Sequence, residues 1–375
     1  MKVLYLADFD NQDVLNGGYG VAINNIKVCL EHLKKDKHID TLKLIPFKKT
    51  KEISGQEFDY VFMIGNPNSF VKLQDFFTYH LKNCKNIYLH ILWETDTFPS
   101  TWNWMWQSDL FTGFFAASKF LCNMLKEVTD KNIHYTPYCM LDFPEPINIE
   151  SKEKEENFTV LFIGQITKRK GIDDAIISYV RAFQNIHNNE SQLILKCFQL
   201  SKYEEDIENM ITRLVSLNSY PANLNNLKIY RLDDNLDRDG IYDLIRKSSL
   251  LLFPSRGEGF GLPIMEAMSV GLPVMYTDWS ASPEIANPLN LPNPNYAIDY
   301  ILDESIDMMP YHYEVGSRYS VPLKTSVIEG LHIFYDRWKE NKKEYYKYSS
   351  VNIDTIKKNF SLEKSIESYK KIIGV

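Results

Sequence analysis

Residues 249–284 constrain the fold of this chain more than any other stretch, because they combine a strand, a loop, a helix and a second strand. The apolar runs at 250–253 and 272–276 predict two buried strands. Pro263 is suited to the first turn of a helix between them, and Gly271 to the end of that helix. Because strands that are joined through a helix pair in parallel, the stretch predicts a parallel sheet flanked by helices.

The loop inside this stretch is rich in glycine, with Gly257, Gly259 and Gly261. A glycine-rich loop that opens onto a helix presents free N–H groups and the positive end of the helix dipole, which together bind anions. Glu258 lies in the loop and Glu266 about one turn into the helix, so a bound phosphate would bring its substituent within reach of both. The alternative is a solvated loop acid and a helix-terminal acid that only favours the dipole.

Short apolar strands alternate with amphipathic helices along most of the chain, which is typical of doubly wound parallel sheets. Strands are predicted at 2–7, 41–46, 59–64, 87–93, 111–117, 158–163, 193–198 and 227–232. Residues 17–20 are predicted to open a helix, in which Ala22, Ile26, Cys29, Leu30 and Leu33 fit the 3.6-residue period. Ser118 is the predicted N-cap of a helix through Leu125. Further helices are predicted at 70–81, 172–183, 203–217, 241–247, 325–339 and 361–373.

The alternation breaks at 141–157, where three prolines precede a charged run, and this segment is the predicted linker. The chain is long enough for two domains, each with its own core. We therefore predict one Rossmann-like domain at 1–150, a second at 151–345, and terminal helices at 346–375. Repeated prolines after Glu284 predict a partly irregular stretch.

The loop at 164–171 follows a predicted strand and places Arg169 and Lys170 directly before a helix. In doubly wound sheets, ligands bind at the carboxyl ends of the strands, where this loop lies. Two cations there suit a diphosphate, because they neutralise the charge that develops on a leaving group. The alternative is a solvated basic turn. Neither glycine-rich loop matches GxxxxGK[ST] or GxGxxG with a distant acid, which disfavours a nicotinamide cofactor.

The net charge of −7 argues against a nucleic-acid partner. Five scattered cysteines without metal-ligand spacing indicate reduced thiols in a cytoplasmic protein. The apolar run at the N-terminus is too short for a signal peptide, and no run is long enough to span a bilayer. Peripheral contact of the lysine-rich residues 34–51 with the inner membrane face is a further hypothesis, against the simpler one of a solvated helix and loop.

Residues 254–268, PSRGEGFGLPIMEAM, followed by GLPV and by Pro283 and Glu284, closely resemble the donor-site signature of family-4 glycosyltransferases. Members of that family are retaining enzymes of GT-B architecture. Glu258 and Glu266 match the two glutamates of the signature. The resemblance covers most of residues 1–285.

Other segments match this family in the expected order along the chain. Residues 162–171 resemble its diphosphate loop, and Gly17 and Gly18 resemble its N-terminal glycine-rich loop, which faces the acceptor. The terminal helix resembles one that crosses back to the N-terminal domain in GT-B proteins. The resemblance therefore implies an α/β GT-B fold with two Rossmann-like, doubly wound domains that face each other across a cleft.

The resemblance also implies an activity. It would be a retaining transfer of a hexose from a UDP- or GDP-linked sugar to a hydroxyl group of a glycan, a lipid-linked or a protein acceptor. No metal and no cofactor would be needed. Two alternatives stay open, a GT-B nucleotide-sugar epimerase and a non-catalytic GT-B sugar-binding subunit.

The resemblance implies roles for particular side chains. Catalysis would depend on Arg169, Lys170 and Glu258. Donor binding would involve Gly17, Gly18, Gly259, Phe260, Gly261, Leu262 and Glu266. Contacts to the acceptor or the transferred sugar would come from Tyr19, His90, Trp93, Glu94 and Asp96.

Two departures from the family pattern bear on these roles. Many relatives carry arginine after the first glycine of the diphosphate loop, where this chain has Gln165, and Arg169 would substitute for it. Many relatives also use a histidine near the end of the strand that here ends in HILWE. Either His90 or Glu94 would then lie at the reaction centre, although a lone histidine and Trp93 are both also consistent with core packing.

Overall fold

The computed structural model describes residues 1–9, 17–65, 70, 74–186, 190–198, 212, 227–232, 236–287, 294–304, 314 and 316–375. The chain forms two compact units. The first contains Met1–Leu141 and Asn359–Val375, and the second contains Asp142–Lys358. The helix predicted at 203–217 lies outside the described residues, Thr212 apart.

The first unit is built on a parallel sheet, of which six strands fall in the described residues. They are β1 (Lys2–Ala7), β2 (Thr41–Pro46), β3 (Tyr60–Ile64), β4 (Asn86–Ile91), β5 (Gly113–Ala116) and β6 (Asn132–Tyr135). Their order is β2-β1-β3-β4-β5-β6, and neighbours pair in parallel. Its helices are α1 (Gly18–Lys35), α2 (Gln74–Leu81), α3 (Asn103–Gln107) and α4 (Lys119–Val128).

Local signals in the sequence account for several of these elements. The buried face of α1 follows the predicted 3.6-residue period and includes Ala22, Ile26, Cys29, Leu30 and Leu33. At the start of α4, the Ser118 hydroxyl accepts a hydrogen bond from the Leu121 amide at 3.3 Å, which confirms the predicted N-cap. Strand β6 was not predicted, because its short, half-buried residues carry no apolar run.

The second unit is built on another parallel sheet, again with six strands in the described residues. They are β7 (Phe158–Gln165), β8 (Ser191–Phe198), β9 (Ile229–Leu232), β10 (Leu250–Phe253), β11 (Val274–Thr277) and β12 (Tyr296–Ile298). Its helices are α5 (Ile149–Lys152), α6 (Ile172–Phe183), α7 (Arg238–Lys247), α8 (Leu262–Ser269), α9 (Ser282–Ala286), α10 (Lys324–Glu340), α11 (Lys342–Tyr345) and α12 (Ser349–Asn359). An antiparallel hairpin of β13 (Tyr300–Glu304) and β14 (Arg318–Pro322) precedes α10.

The strand order of the second sheet, β12-β11-β10-β7-β8-β9, reverses direction between β7 and β10. Strands β8 and β9 add to one side of β7, whereas β10, β11 and β12 add to the other. Ligands of doubly wound proteins bind in the crevice at such a reversal, outside the carboxyl ends of the strands. Residues 166–171 follow β7 and residues 254–261 follow β10, so these two segments, here called the switch-point loops, flank the reversal.

Two stretches contain elements that the sequence did not predict. The stretch after Glu284, predicted as partly irregular, contains β12, β13 and β14. The charged run in the predicted linker contains α5, where the Lys152 side chain is only 3% exposed. Its ammonium group contacts the Ser248 carbonyl oxygen and the Glu155 carboxylate, and this pairing allows a lysine to be buried.

The last helix, α13 (Leu362–Ile373), belongs to the first unit and packs against α1. The Ser365 hydroxyl donates a hydrogen bond to the Pro137 carbonyl oxygen at 3.0 Å. The Tyr369 ring meets the Phe62 ring edge-on, with centroids 5.7 Å apart. The terminus of the chain thus completes the core of the unit in which the chain begins.

Candidate active site

The loop after β7 depends on a glycine at its end. A 3₁₀ turn at Lys168–Lys170 leads to Gly171, whose φ of +68° lies in the left-handed region. A Cβ atom at this position would lie 2.1 Å from the Pro254 carbonyl oxygen. Only glycine therefore fits both the backbone conformation and the space at this position. The closeness of Gly171 to Pro254 also shows that the two switch-point loops lie directly against each other.

The loop after β10 turns into α8 at a second glycine in the left-handed region. Gly261 has a φ of +112° and precedes the helix, in whose first turn Pro263 lies. This is the strand, glycine loop and helix that the sequence predicts. Gly259 and Phe260 are buried in the loop, and the N–H groups of the first helical turn lie at the carboxyl edge of the sheet.

Three groups converge on the Glu258 carboxylate, which is 7% exposed. The Lys170 ammonium nitrogen and the Ser255 hydroxyl oxygen each lie 2.6 Å from Glu258 Oε1. A guanidinium nitrogen of Arg169 lies 3.5 Å from the same oxygen. Burial alone would raise the pKa of this carboxyl, but Lys170 and Arg169 outweigh it and lower the pKa below its ordinary value. Glu258 is therefore ionised at neutral pH.

The two cations are themselves held in place. Arg169 donates to the Gly257 carbonyl oxygen at 2.8 Å, and the Lys170 ammonium nitrogen lies 5.6 Å from the centre of the Phe253 ring. Their side chains are 13% and 14% exposed, respectively. The side chain of each cation is thus held in one orientation and still reaches solvent. An anionic ligand could therefore bind to both cations without a rearrangement of the site.

A third loop, which follows β11, also forms a hydrogen bond with Glu258. The Glu258 amide donates to the Ser280 hydroxyl oxygen at 3.0 Å. Ser280 has a φ of +57°, which is unusual for a residue other than glycine. Sequence reasoning did not identify this residue, although its place after a strand adjacent to β10 was a usable signal.

Glu266 has different surroundings from Glu258. It is half-buried on α8, and burial raises its pKa to about 7, although the Arg238 guanidinium opposes that rise. Arg238 and Tyr242 of α7 contact each other at 3.4 Å between guanidinium nitrogen and hydroxyl oxygen. Both residues interact electrostatically with Glu266. Neither was identified from the sequence, because α7 carries no motif that marks them.

The structure therefore brings together the predicted residues of the second unit. Lys170, Arg169 and Glu258 are in contact, and Gly259, Phe260, Gly261 and Leu262 continue from Glu258 into the helix that carries Glu266. Chemically, the arrangement offers two cations and a helix N-terminus to an anion. It also offers carboxylate and hydroxyl oxygens to hydroxyl groups.

In the first unit, the predicted histidine is a core residue. His90, on β4, is 1% exposed, and its Nε2 atom lies 3.1 Å from the Tyr138 hydroxyl oxygen. The two rings are stacked with their centroids 5.6 Å apart, and the Phe115 ring meets the imidazole edge-on. Burial lowers the pKa of His90 to about 3, so the imidazole is neutral at physiological pH.

The loop after β4 separates a buried tryptophan from two acids. Trp93 is 5% exposed, donates its indole N–H to the Thr97 carbonyl oxygen at 2.6 Å and packs against Trp102. Glu94 and Asp96 are half-buried. The acids of this loop are thus more accessible to a ligand than the tryptophan ring.

The N-terminal glycines lie at the start of α1. Gly17 and Gly18 are exposed, and the Gly17 carbonyl oxygen accepts a hydrogen bond from the Gly20 amide at 2.9 Å. Tyr19, in the first turn, is half-buried and interacts electrostatically with Tyr138. The predicted residues of this unit are thus spread over the first turn of α1, the end of β4 and the loop after it.

The described residues contain no group of three or more histidine, cysteine, aspartate or glutamate side chains that could hold a metal ion. None of the helices described here is long and apolar enough to cross a membrane. None of the five cysteines, all of which lie in the part of the chain that the structure describes, forms a disulfide bond, and four of them are buried.

Residues 157–295 match the model of the family described as Glycosyl transferases group 1. This segment is similar to a glycosyl transferases group 1 domain. It extends from the start of β7 to the start of β12 and contains both switch-point loops. Lys170, Glu258 and Glu266 therefore all belong to the matched segment.

Curated relatives match over part of the chain. A protein of Methanocaldococcus jannaschii named "Uncharacterized glycosyltransferase MJ1178" is 31% identical over 125 residues, which is 33% of this chain and 30% of that protein. The chain spans between 21% and 32% of the length of the curated relatives it matches.

Solved structures match over nearly the whole chain. Anabaena Alr3699/HepE, in complex with UDP and glucose, has a TM-score of 0.63 at 12% identity, covering 100% of this chain and 99% of that one. A glycosyltransferase from Rickettsia africae ESF-5 has a TM-score of 0.62 at 13% identity, covering 99% of this chain and 97% of that one. At these identities the similarity establishes the fold, and the predicted GT-B fold with two Rossmann-like, parallel-sheet units is confirmed.

Proposed function

We propose that this protein is a retaining glycosyltransferase that moves a hexose from a UDP- or GDP-linked sugar to a hydroxyl group of a glycan, lipid-linked or protein acceptor. The observation that carries the proposal is the convergence of Lys170 and Arg169 on Glu258 at the reversal of the second sheet. The glycosyl transferases group 1 domain and the similarity to a structure containing UDP and glucose support it.

The diphosphate of the donor would bind between the switch-point loops. An ammonium group has three N–H donors and a guanidinium has five, so Lys170 and Arg169 can bind phosphate oxygens as well as the protein groups that hold them. As the bond from the sugar to the diphosphate breaks, negative charge develops on the departing oxygen, and these cations would stabilise it. Because the protein itself supplies this positive charge, we propose that transfer proceeds without a metal.

The two glutamates would hold hydroxyl groups at opposite ends of the donor. Glu266 would accept hydrogen bonds from the ribose, and Glu258, with the backbone amides of Gly259, Phe260 and Gly261, would hold the sugar and the adjacent phosphate. Gly17 and Gly18 of the first unit are the further residues that the family resemblance implies for donor binding.

Transfer with retention would occur on one face of the sugar. The bond between the anomeric carbon and the diphosphate oxygen breaks, and a bond forms from that carbon to the acceptor oxygen. The acceptor proton passes to the departing phosphate oxygen, so no separate basic side chain is needed. Tyr19, Glu94 and Asp96 are the proposed contacts to the acceptor or the transferred sugar, and His90 and Trp93 would support them from the core.

A thermal-shift screen with UDP, GDP and their hexose conjugates tests donor binding. A ligand at 100 times its dissociation constant adds about 2.7 kcal/mol to the free energy of unfolding, which produces a measurable shift. Turnover is then followed as release of the nucleoside diphosphate, with and without EDTA. Failure of every nucleotide to bind would contradict the proposal.

The same experiments separate the two alternatives. Isomerised nucleotide sugar that accumulates without any acceptor would indicate an epimerase. Tight donor binding without transfer or isomerisation would indicate a sugar-binding subunit. Activity that EDTA abolishes and a divalent cation restores would contradict metal independence.

A further inference from the structure

Arg256 lies in the loop after β10, two residues before Glu258, yet its side chain is buried at 7% exposure. Its guanidinium reaches the first turn of α6. Nε and Nη2 lie 3.0 Å and 2.6 Å from Asp174 Oδ2, and Nη2 lies 2.9 Å from Asp173 Oδ2. A single side chain of one switch-point loop is therefore paired with the helix that follows the other.

Asp174 is the centre of this network, and it has no exposed surface. Its second oxygen, Oδ1, pairs with the Lys324 ammonium nitrogen at 2.8 Å, at the start of α10. A fully buried carboxylate persists only when cations compensate its charge. Here Arg256 and Lys324 do so from two different elements, which ties α6 to both of them.

The backbone of Arg256 makes the contact that matters for the site. Its N–H donates to the Arg169 carbonyl oxygen at 2.7 Å. Its own carbonyl oxygen accepts hydrogen bonds from the Ser320 amide and the Ser320 hydroxyl, each at 3.0 Å. The residue is thus fixed on one side by β14 and on the other by the turn that carries Arg169 and Lys170.

We propose that Arg256, anchored on Asp174, is a positioning residue that sets the place of Arg169 and Lys170 and thereby the affinity of the site for a diphosphate. This inference rests on the proposed function and adds to it a residue that touches no substrate. Arg256 is paired with two aspartates, so its removal takes away one positive charge as well as the contacts that hold the loop, and a second variant is needed to separate the two effects.

Arg256→Met tests this role through a difference between ligands. A displacement of about 1 Å at a reacting centre can cost about 100-fold in rate, and we expect a loss of kcat of that order. Affinity for UDP or GDP should fall about tenfold, because the diphosphate contacts Arg169 and Lys170. Affinity for uridine or guanosine should stay within about twofold, because a nucleoside has no phosphate for these cations to bind. Equal losses for diphosphate and nucleoside would overturn the proposal, since a general loss of structure affects both.

Asp174→Asn separates position from charge. The substitution removes a negative charge near the anion site, so a purely electrostatic role of the network predicts tighter UDP binding. The positioning role predicts weaker UDP binding, because Arg256 loses its anchor. Tighter binding in this variant would therefore overturn the proposal.

Further variants distinguish the positioning role from a general loss of folding. Arg256→Lys keeps a charge but only one contact, so it should recover part of the diphosphate affinity. Ser320→Ala removes one of the two hydrogen bonds to the Arg256 carbonyl oxygen and should act in the same direction with a smaller effect. Lys152→Met removes another buried cation of the second unit and should lower the melting temperature without changing the ratio of diphosphate to nucleoside affinity.

Amide hydrogen exchange supplies a readout that does not depend on activity. Arg256→Met should speed exchange in peptides covering 164–172, whereas Lys152→Met should not. Unchanged exchange there would contradict the positioning role even if the wild-type protein bound no nucleotide. Absence of nucleotide binding by the wild type would instead contradict the proposed function.

Discussion

In the second unit, Lys170, Arg169 and Ser255 converge on the Glu258 carboxylate at the end of two adjacent strands. In the first unit, His90 also lies at the end of a strand, but its ring is enclosed by Tyr138 and Phe115. Both regions contain polar groups that are buried at the carboxyl edge of a parallel sheet. Around Glu258 the charges are paired and partly open to solvent, whereas the His90 side chain is neutral and closed to solvent.

The comparison shows that burial of a polar side chain can have two different consequences. Around Glu258, loops from β7, β10 and β11 hold an ion cluster in place, so positive charge is preorganised where an anion would bind. Around His90, aromatic packing removes the charge altogether, as its lowered pKa shows. Substitutions at five positions can break or sharpen this contrast, taken from the largest expected effect to the smallest.

Lys170→Ala should have the largest effect. It removes a preorganised charge from the proposed diphosphate site, and we expect kcat to fall about 100- to 1000-fold in nucleotide-sugar turnover. Lys168→Ala, in the same 3₁₀ turn but exposed, is the matched control and should change kcat little. Similar losses in both variants would mean that the turn acts only through its overall charge.

Glu266→Gln should weaken donor binding about 10- to 100-fold, because it removes a charge-assisted acceptor. Burial raises the pKa of Glu266 from 4.5 to about 7, so wild-type donor affinity should fall as the pH drops below about 7. The folded state keeps this proton up to a higher pH than the unfolded chain does. The free energy of unfolding should therefore decline as pH rises from 4.5 to about 7, and the variant should lose both dependences.

Arg238→Gln sharpens the same measurement. Arg238 opposes the rise in the Glu266 pKa, so its removal should move the midpoint of donor affinity to higher pH. Isothermal titration across pH 5–9 measures that midpoint. An unchanged midpoint would show that another group controls the dependence.

His90→Ala should lower the free energy of unfolding by about 1–3 kcal/mol, because it leaves the Tyr138 hydroxyl without this partner. UDP or GDP affinity should stay within about twofold, which distinguishes it from Lys170→Ala. The folded-state pKa is lowered from 6.5 to about 3, so wild-type stability should fall as the pH drops through that window. Denaturant unfolding at several pH values checks this, and a lost donor affinity would place His90 at the reaction centre instead.

Ser280 should show the smallest effect. Ser280→Ala removes the hydroxyl that accepts from the Glu258 amide and keeps a side chain in the left-handed region, so kcat should fall about tenfold or less. Ser280→Gly loses the same hydrogen bond but relieves backbone strain of about 1–2 kcal/mol. The glycine variant should therefore melt at a higher temperature than the alanine variant, with a similar loss of kcat.

Much of the fold could be predicted locally. The buried face of α1, the Ser118 cap and the entry into α8 after Gly261 each depend on residues within a few positions of one another. Strand β6 and the hairpin of β13 and β14 were not predicted, because their residues are partly exposed and carry no continuous apolar run. The resemblance of residues 254–268 to a family signature pointed to Glu258 and Glu266, and the basic loop at 164–171 pointed to Arg169 and Lys170.

The sequence by itself determined the alternation of strands and helices, the left-handed glycines and the charged residues available to the site. Only the tertiary structure decided that the strand order reverses between β7 and β10, which brings Lys170 to Glu258 across 88 positions of the chain. It alone showed that Arg256 is anchored on Asp174 and that His90 is neutral. These properties depend on burial and on contacts between distant segments, and neither is encoded in the spacing of neighbouring residues.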